Sequence, residues 1–335
     1  MKKLIDFLLS LFGKKNPPPA PAKPVPPSDS DTEPAQMTVN RVLVLVYDPP
    51  MDAAGKKLSQ QQSWHRVEEI ASGFMADILK TSGGMLRYQI AQRIDVDEFP
   101  AKTDGFVYTP QTYLDVLRGT TPPHMPQEVD YISILTRFKI MERVARNEID
   151  EVWIFAFPHA GFYESIMAGP GAFWCNGPPL KNTDASQRRF IVMGFSFERY
   201  IGEMLESFGH RAESIMTKTF EKTQGEANLW NRFTRYDKAF PGKAAVGTIH
   251  YAPNSTRDYE WDNQTLVKSE CHDWLNNFPN FKGDLRDVNA AEWGNGEIRA
   301  HHQWWLSHLP KVAGRKNSVH NNWWQYIGDP NNVLV

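Results

Sequence analysis

The stretch "RVLVLVYD", residues 41–48, decides the fold. Its Val and Leu residues follow one another without polar alternation. A strand with one wet face alternates in polarity. A continuous run reads as a strand buried on both faces, the usual state of a parallel sheet covered by helices. Working outward, residues 63–84 carry Val67, Ile70, Phe74 and Ile78 at helical spacing and end in a glycine pair, a stop signal. "LRYQIAQRIDVDEFP", 86–100, alternates and predicts a second strand. A short helix fits 110–118 and a long one 130–148. "DEVWIFAFP", 150–158, and "RRFIVMGFS", 188–196, predict a third and a fourth strand, and a helix follows from about 198 to 220. Strands alternating with helices predict an α/β fold with a mostly parallel central sheet flanked by helices.

After residue 222 the pattern loosens into loops, with a strand predicted at 243–251 and a helix at 297–309. This loop-rich, Trp-rich C-terminal segment is expected to wrap the sheet within a single α/β domain spanning 37–335. Seven of the chain's 11 tryptophans, Trp261, Trp274, Trp293, Trp304, Trp305, Trp323 and Trp324, fall in its last quarter. Flat faces with a polar handle serve either as core anchors or as platforms for sugar rings.

Residues 1–15, "MKKLIDFLLSLFGKK", are too short to span a bilayer and lack a small-x-small cleavage site. They read as an uncleaved amphipathic segment that lies on a membrane surface or on a partner protein. Residues 16–36 are Pro-rich, and in extended form they make a spacer of roughly 60 Å. The formal charge of −2 argues against nucleic acid as a partner. Cys175 and Cys271 lack CxxC spacing, which leaves both a long-range disulfide and two free thiols open.

The chemistry concentrates at "ESFGHRAES", 206–214. At 100° per residue, Ile201, Leu205, Phe208, Ala212 and Ile215 form an apolar stripe, while Glu203, Glu206, His210 and Glu213 line up nearly opposite. The bland reading is a solvated face. Against it stand the absence of lysines that would pair with the glutamates at i,i+4, and Gly202 and Gly209, which suggest close approach by another group. Glu206 and His210, with Glu213 and His250 beyond, form a candidate ligand set for a divalent metal, zinc or manganese. The helix is similar to the H-E-x-x-H helix of zinc peptidases in shape only. Ser207 stands where the catalytic Glu belongs, so Glu203 or Glu164 must supply the base. Asp48, His159 and Glu164 follow strand ends, where open α/β sheets bind ligands. Glu297 and His301 form a second i,i+4 pair, and Asp258, Glu260 and Asp262 form an acidic loop.

The strings "AGFYESIMAGPGAFWCNGPPL", "GFSFERYIGEMLESFGHRAESIM", "HYAPNSTRDYEWDN" and "AEWGNGEIRAHHQWWL" together resemble a family of uncharacterised bacterial proteins, many of them secreted. The resemblance covers roughly residues 150–326. It implies an extracytoplasmic or cell-envelope setting and supplies no catalytic residues. The residues thus predict a metal-dependent hydrolase. The alternatives are a carbohydrate-active or carbohydrate-binding protein using the C-terminal Trp, Asn and Glu groups, and a non-catalytic interaction module displayed on a linker. A carbohydrate or a peptide is the expected substrate class.

Overall fold

The computed structural model describes residues 29–30 and 32–334. The run at 41–48 forms most of β1 (Thr38–Tyr47), and Val42 to Tyr47 are all buried. In chain order follow α1 (Leu58–Gln62), α2 (Val67–Thr81), β2 (Leu86–Val96), α3 (Pro110–Leu117), α4 (Tyr131–Arg137), α5 (Ile140–Ala145), β3 (Glu151–Ala156), β4 (Ser165–Ala168), β5 (Phe190–Ser196), α6 (Ile201–Thr219) and α7 (Leu229–Phe233). The remainder is β6 (Val267–Ser269), α8 (Cys271–Asn277), β7 (Arg286–Val288), α9 (Ile298–His308), β8 (Lys311–Lys316), β9 (Val319–Asn322) and α10 (Trp324–Gly328).

The central sheet has the order β2-β1-β3-β5-β4. Its first four strands are parallel, and β4 runs antiparallel to β5 at the edge. Side-chain pattern explains which strands lie inside. β1, β3 and β5 are almost wholly apolar and occupy the centre, whereas β2 alternates with Arg87, Gln89 and Arg93 and takes the other edge. Phe74 of α2 packs against Trp153 of β3 (5.3 Å, edge-on), Phe195 of β5 (5.4 Å) and Phe208 of α6 (6.0 Å), tying two helices to the sheet.

Two expectations for the elements are corrected, and one strand of the central sheet has no counterpart among them. The helix expected across 130–148 is two helices, because Lys139 adopts a left-handed backbone (φ 52°). In one straight helix Ile140 and Val144 would project roughly opposite Tyr131, Ile134 and Leu135. The break turns both groups inward, and all five are buried. The strand expected at 243–251 is absent. Ala244 makes a single bridge to Ser269, and the chain then turns at Gly247 (φ 87°), so that Thr248 N–H donates to the Tyr251 carbonyl at 2.9 Å. β4, four residues long, carries too little pattern to announce itself.

Six of the seven C-terminal tryptophans are core residues, and Trp304 is half-buried against that core. Trp274, Trp293, Trp305, Trp323 and Trp324 are at most 1 % exposed. Trp323 sits 5.5–5.9 Å from Phe220, Trp230, Phe233, Trp274 and Phe278. The sugar-stacking alternative therefore loses its platforms. Cys175 and Cys271 are free and buried, so no disulfide joins them.

The N-terminal expectations also change. The segment 1–15 lies outside the described residues, and among the described residues no helix is long and apolar enough to cross a membrane. The expected membrane association, and the membrane or protein partner engaged through residues 1–15, are accordingly withdrawn. Where the structure describes the C-terminal end of the Pro-rich stretch, it contacts the fold. Ser30 pairs backbone to backbone with Arg315 of β8, and Glu33 forms an ion pair with the Arg315 guanidinium at 3.0 Å.

Candidate metal centre

Helix α6 leaves β5 and carries the ligand face. Its start is secured by Glu203, whose carboxylate accepts the Tyr200 N–H at 3.2 Å. The apolar stripe faces the core as its spacing requires, yet the opposite face is not solvated. Glu206 and Ser207 are each 6 % exposed. The two glycines explain this. A Cβ on Gly202 would lie 2.6 Å from Ile298, and one on Gly209 would lie 2.4 Å from Ile249. Ile249 thus wedges against bare helix backbone, and the next residue, His250, lands over Glu206 and His210. Substituting Gly209→Ala adds helix propensity yet forces Ile249 back. We expect a net loss of about 1–2 kcal/mol in urea unfolding together with displacement of His250. An unchanged or raised midpoint would show that Ile249 is not wedged.

Three side chains converge. Glu206 Oε1 lies 3.0 Å from His250 Nε2 and 3.9 Å from His210 Nε2. Glu206, His210 and His250 each offer a ligand atom within 4.8 Å of the other two. Neighbouring ligands of a tetrahedral ion at about 2.0–2.1 Å lie roughly 3.3 Å apart, between the two separations to Glu206. The residues present therefore fit a divalent cation such as zinc or manganese.

Each imidazole has a dedicated carboxylate on its other nitrogen. His210 Nδ1 lies 3.0 Å from Glu213, and His250 Nδ1 lies 3.0 Å from Asp258. His210 Nδ1 hydrogen-bonds Glu213, Asp258 faces His250 Nδ1 as an opposite charge, and both Nε2 atoms lie toward Glu206. This is the carboxylate–histidine arrangement that orients imidazoles toward a metal. Glu213 also accepts the Ile249 N–H at 3.0 Å, fixing the loop that supplies His250.

The electrostatics follow from partial burial among opposite charges. Burial opposes ionisation of Glu206, but hydrogen bonds from His250 and Tyr259 and the nearby imidazoles outweigh it and hold the carboxyl below its usual range. Burial likewise disfavours a charged His210, while Glu213, Glu164 and Glu206 outweigh that and raise its pKa. For His250, burial and the His210 charge are outweighed chiefly by Glu206 and Asp258, and its pKa is also raised. Opposite charges in partial burial thus favour the charged forms of both imidazoles and of the Glu206 carboxylate. A cation bound there would compete with protons for the Nε2 atoms.

The other nominated residues land as follows. Glu213 holds His210 from behind and lies outside the converging set. Glu164 Oε2 stands 4.0 Å from His210 Nε2 and accepts from Asn176 Nδ2 at 2.6 Å. Glu203 caps its helix. With Glu164, Ser207 and His159 it lines a cleft of about 330 Å³ at the carboxyl ends of β3 and β5. His159 is exposed and lends its carbonyl to Lys102 Nζ at 2.7 Å. Asp48 is taken up by Ser59, through its N–H at 2.9 Å and its hydroxyl at 2.6 Å. The second i,i+4 pair is corrected. Glu297 caps α9 by accepting the Arg299 and Ala300 N–H groups, while His301 is buried against Trp261 at 4.8 Å. Asp258 and Tyr259, the latter donating to Glu206 at 3.0 Å, were not singled out in the sequence as groups that hold the ligands. They occupy an irregular loop, and no spacing rule connects them to residues 206–210. No protein-family model, curated protein or solved structure matches the chain.

Proposed function

We propose that the protein is a metal-dependent hydrolase centred on Glu206, His210 and His250. The observation that carries this reading is the matched orientation of the two imidazoles. Both direct Nε2 at one carboxylate oxygen, and each is braced at Nδ1 by its own carboxylate. A solvated helix face needs no such bracing. A divalent cation bound there supplies Lewis acidity and lowers the pKa of water.

The chain's own residues divide the remaining work. Glu206 balances charge at the centre. Glu213 and Asp258 hold the two rings in orientation. Glu164, held by Asn176 beside His210 and facing the cleft, is placed to accept a proton as general base. Ser207, at the position of the zinc-peptidase base, cannot do so. Its hydroxyl donates to the Glu203 carbonyl at 3.0 Å.

Purified chain incubated with zinc or manganese and desalted should retain about one ion per molecule by elemental analysis, and His210→Ala, folded by circular dichroism, should retain none. Glu164→Gln should keep the ion and slow turnover of an activated ester by about 10²-fold or more. Wild-type chain that retains no ion, or His210→Ala that retains it fully, would falsify the metal centre. Glu164→Gln with unchanged turnover would remove Glu164 as base.

A further inference from the structure

Tyr259 shares the carboxylate oxygen around which the histidines gather. Its hydroxyl lies 3.0 Å from Glu206 Oε1, the same separation as His250 Nε2. We propose that Tyr259 is a fourth ligand of the cation, giving a donor set of two imidazoles, one carboxylate and one phenolate. This rests on the metal centre formed by Glu206, His210 and His250.

Three observations support it besides the distance. First, Tyr259 holds a left-handed backbone with φ 60°. For a bulky aromatic residue this conformation is uncommon and costs on the order of 1 kcal/mol or more, and such residues gather at functional sites. Second, the core does not demand it, because the residue is 50 % exposed. Third, the ring is fixed by its neighbours. It lies 4.3 Å from the His250 ring and meets Trp261 edge-on at 5.4 Å, while its N–H donates to the His250 carbonyl at 3.3 Å. The preceding residue, Asp258, braces His250. One dipeptide thus orients one ligand and offers another.

Adjacent ligands of a tetrahedral ion at about 2.0–2.1 Å stand roughly 3.3 Å apart, close to the 3.0 Å between the Tyr259 hydroxyl and Glu206 Oε1, so the two oxygens can share one ion. On ligation the phenolic proton leaves to solvent and the oxygen–metal bond forms, with no change of oxidation state. Imidazole, carboxylate and phenolate donors suit zinc, copper(II) and iron.

The test compares wild type with Tyr259→Phe, each loaded with zinc for stoichiometry and with copper(II) for spectroscopy. Both chains should bind about one ion. Wild-type copper protein should show a visible phenolate-to-copper charge-transfer band, and Tyr259→Phe should lack it. A wild-type copper protein without the band, or a band of equal strength in Tyr259→Phe, overturns the assignment and leaves Tyr259 as a hydrogen-bond donor to Glu206. If neither chain binds zinc or copper, the metal centre itself fails and the assignment falls with it.

Discussion

Replacing Arg211 with Ala should destabilise the chain by about 3–5 kcal/mol in urea or thermal unfolding. Arg211 is fully buried in α6, and Glu151, at the start of β3, is 1 % exposed. Their ion pair is 2.7 Å long. The rest of each group is satisfied. Arg211 also donates to the Ile327 carbonyl at 2.8 Å, while Glu151 accepts from Trp153 Nε1 at 2.8 Å and Asn40 Nδ2 at 3.2 Å. A buried pair gives little net stability when its desolvation is counted, but removing one partner strands a charge. Arg211→Ala leaves the Glu151 carboxylate without its counter-charge and the Ile327 carbonyl without its donor, and it opens a cavity. The double replacement Glu151→Leu with Arg211→Met should recover part of the loss, because no charge remains buried. A single variant within about 1 kcal/mol of wild type would mean that water reaches the pair. Because Arg211 follows His210 directly, the same lesion should loosen the helix that carries the ligands.

Acid should weaken the fold well before general carboxylate protonation. His308 lies on α9, 4 % exposed, with Nδ1 donating to the Trp304 carbonyl at 2.7 Å. Burial pushes its pKa down to about 4, and burial pushes that of His301 down to about 3. An unfolded histidine titrates near 6.5. Between about pH 6.5 and about 4 the unfolded chain takes up a proton at His308 that the folded chain refuses. The unfolded state binds more protons there, so stability falls as pH falls through that window. For His308 alone the loss between pH 7 and pH 5 is on the order of 2 kcal/mol. His308→Gln, compared with wild type by urea unfolding at both pH values, should show a pH 7-to-5 loss smaller by about that amount. An identical pH dependence in the two chains would mean that His308 is protonated in the folded state.

Much of the architecture is legible wherever a local pattern coincides with burial. β1, β3 and β5 are continuous apolar runs, and α2 and α6 show clear helical periods. Tertiary demands overrode local pattern elsewhere. Lys139 turns left-handed so that two apolar faces reach one core, and Gly247 converts an apparent strand into a turn. The same division runs through the centre. Glu206 and His210 share one helix face, and a 3.6-residue period can nominate them. His250 could be nominated only as an isolated imidazole, because the wedge of Ile249 against Gly209 that delivers it is a contact in space. Glu213 looked like a ligand because it shares the face, but its angle carries it behind His210. The tryptophans show the limit of composition, since their number implies aromatic surface equally well inside or outside.

The centre joins a helix to a loop. His250 and Glu206 are 44 positions apart in the chain, and the residues from Gly247 to Leu266 contain no helix or strand. A cation held between them is therefore a cross-link as well as a reagent. It has no preformed site in the unfolded chain, where these residues lie far apart, so its affinity is added to the stability of the docked loop. Occupancy of the centre and local order would then rise and fall together with the free concentration of one ion.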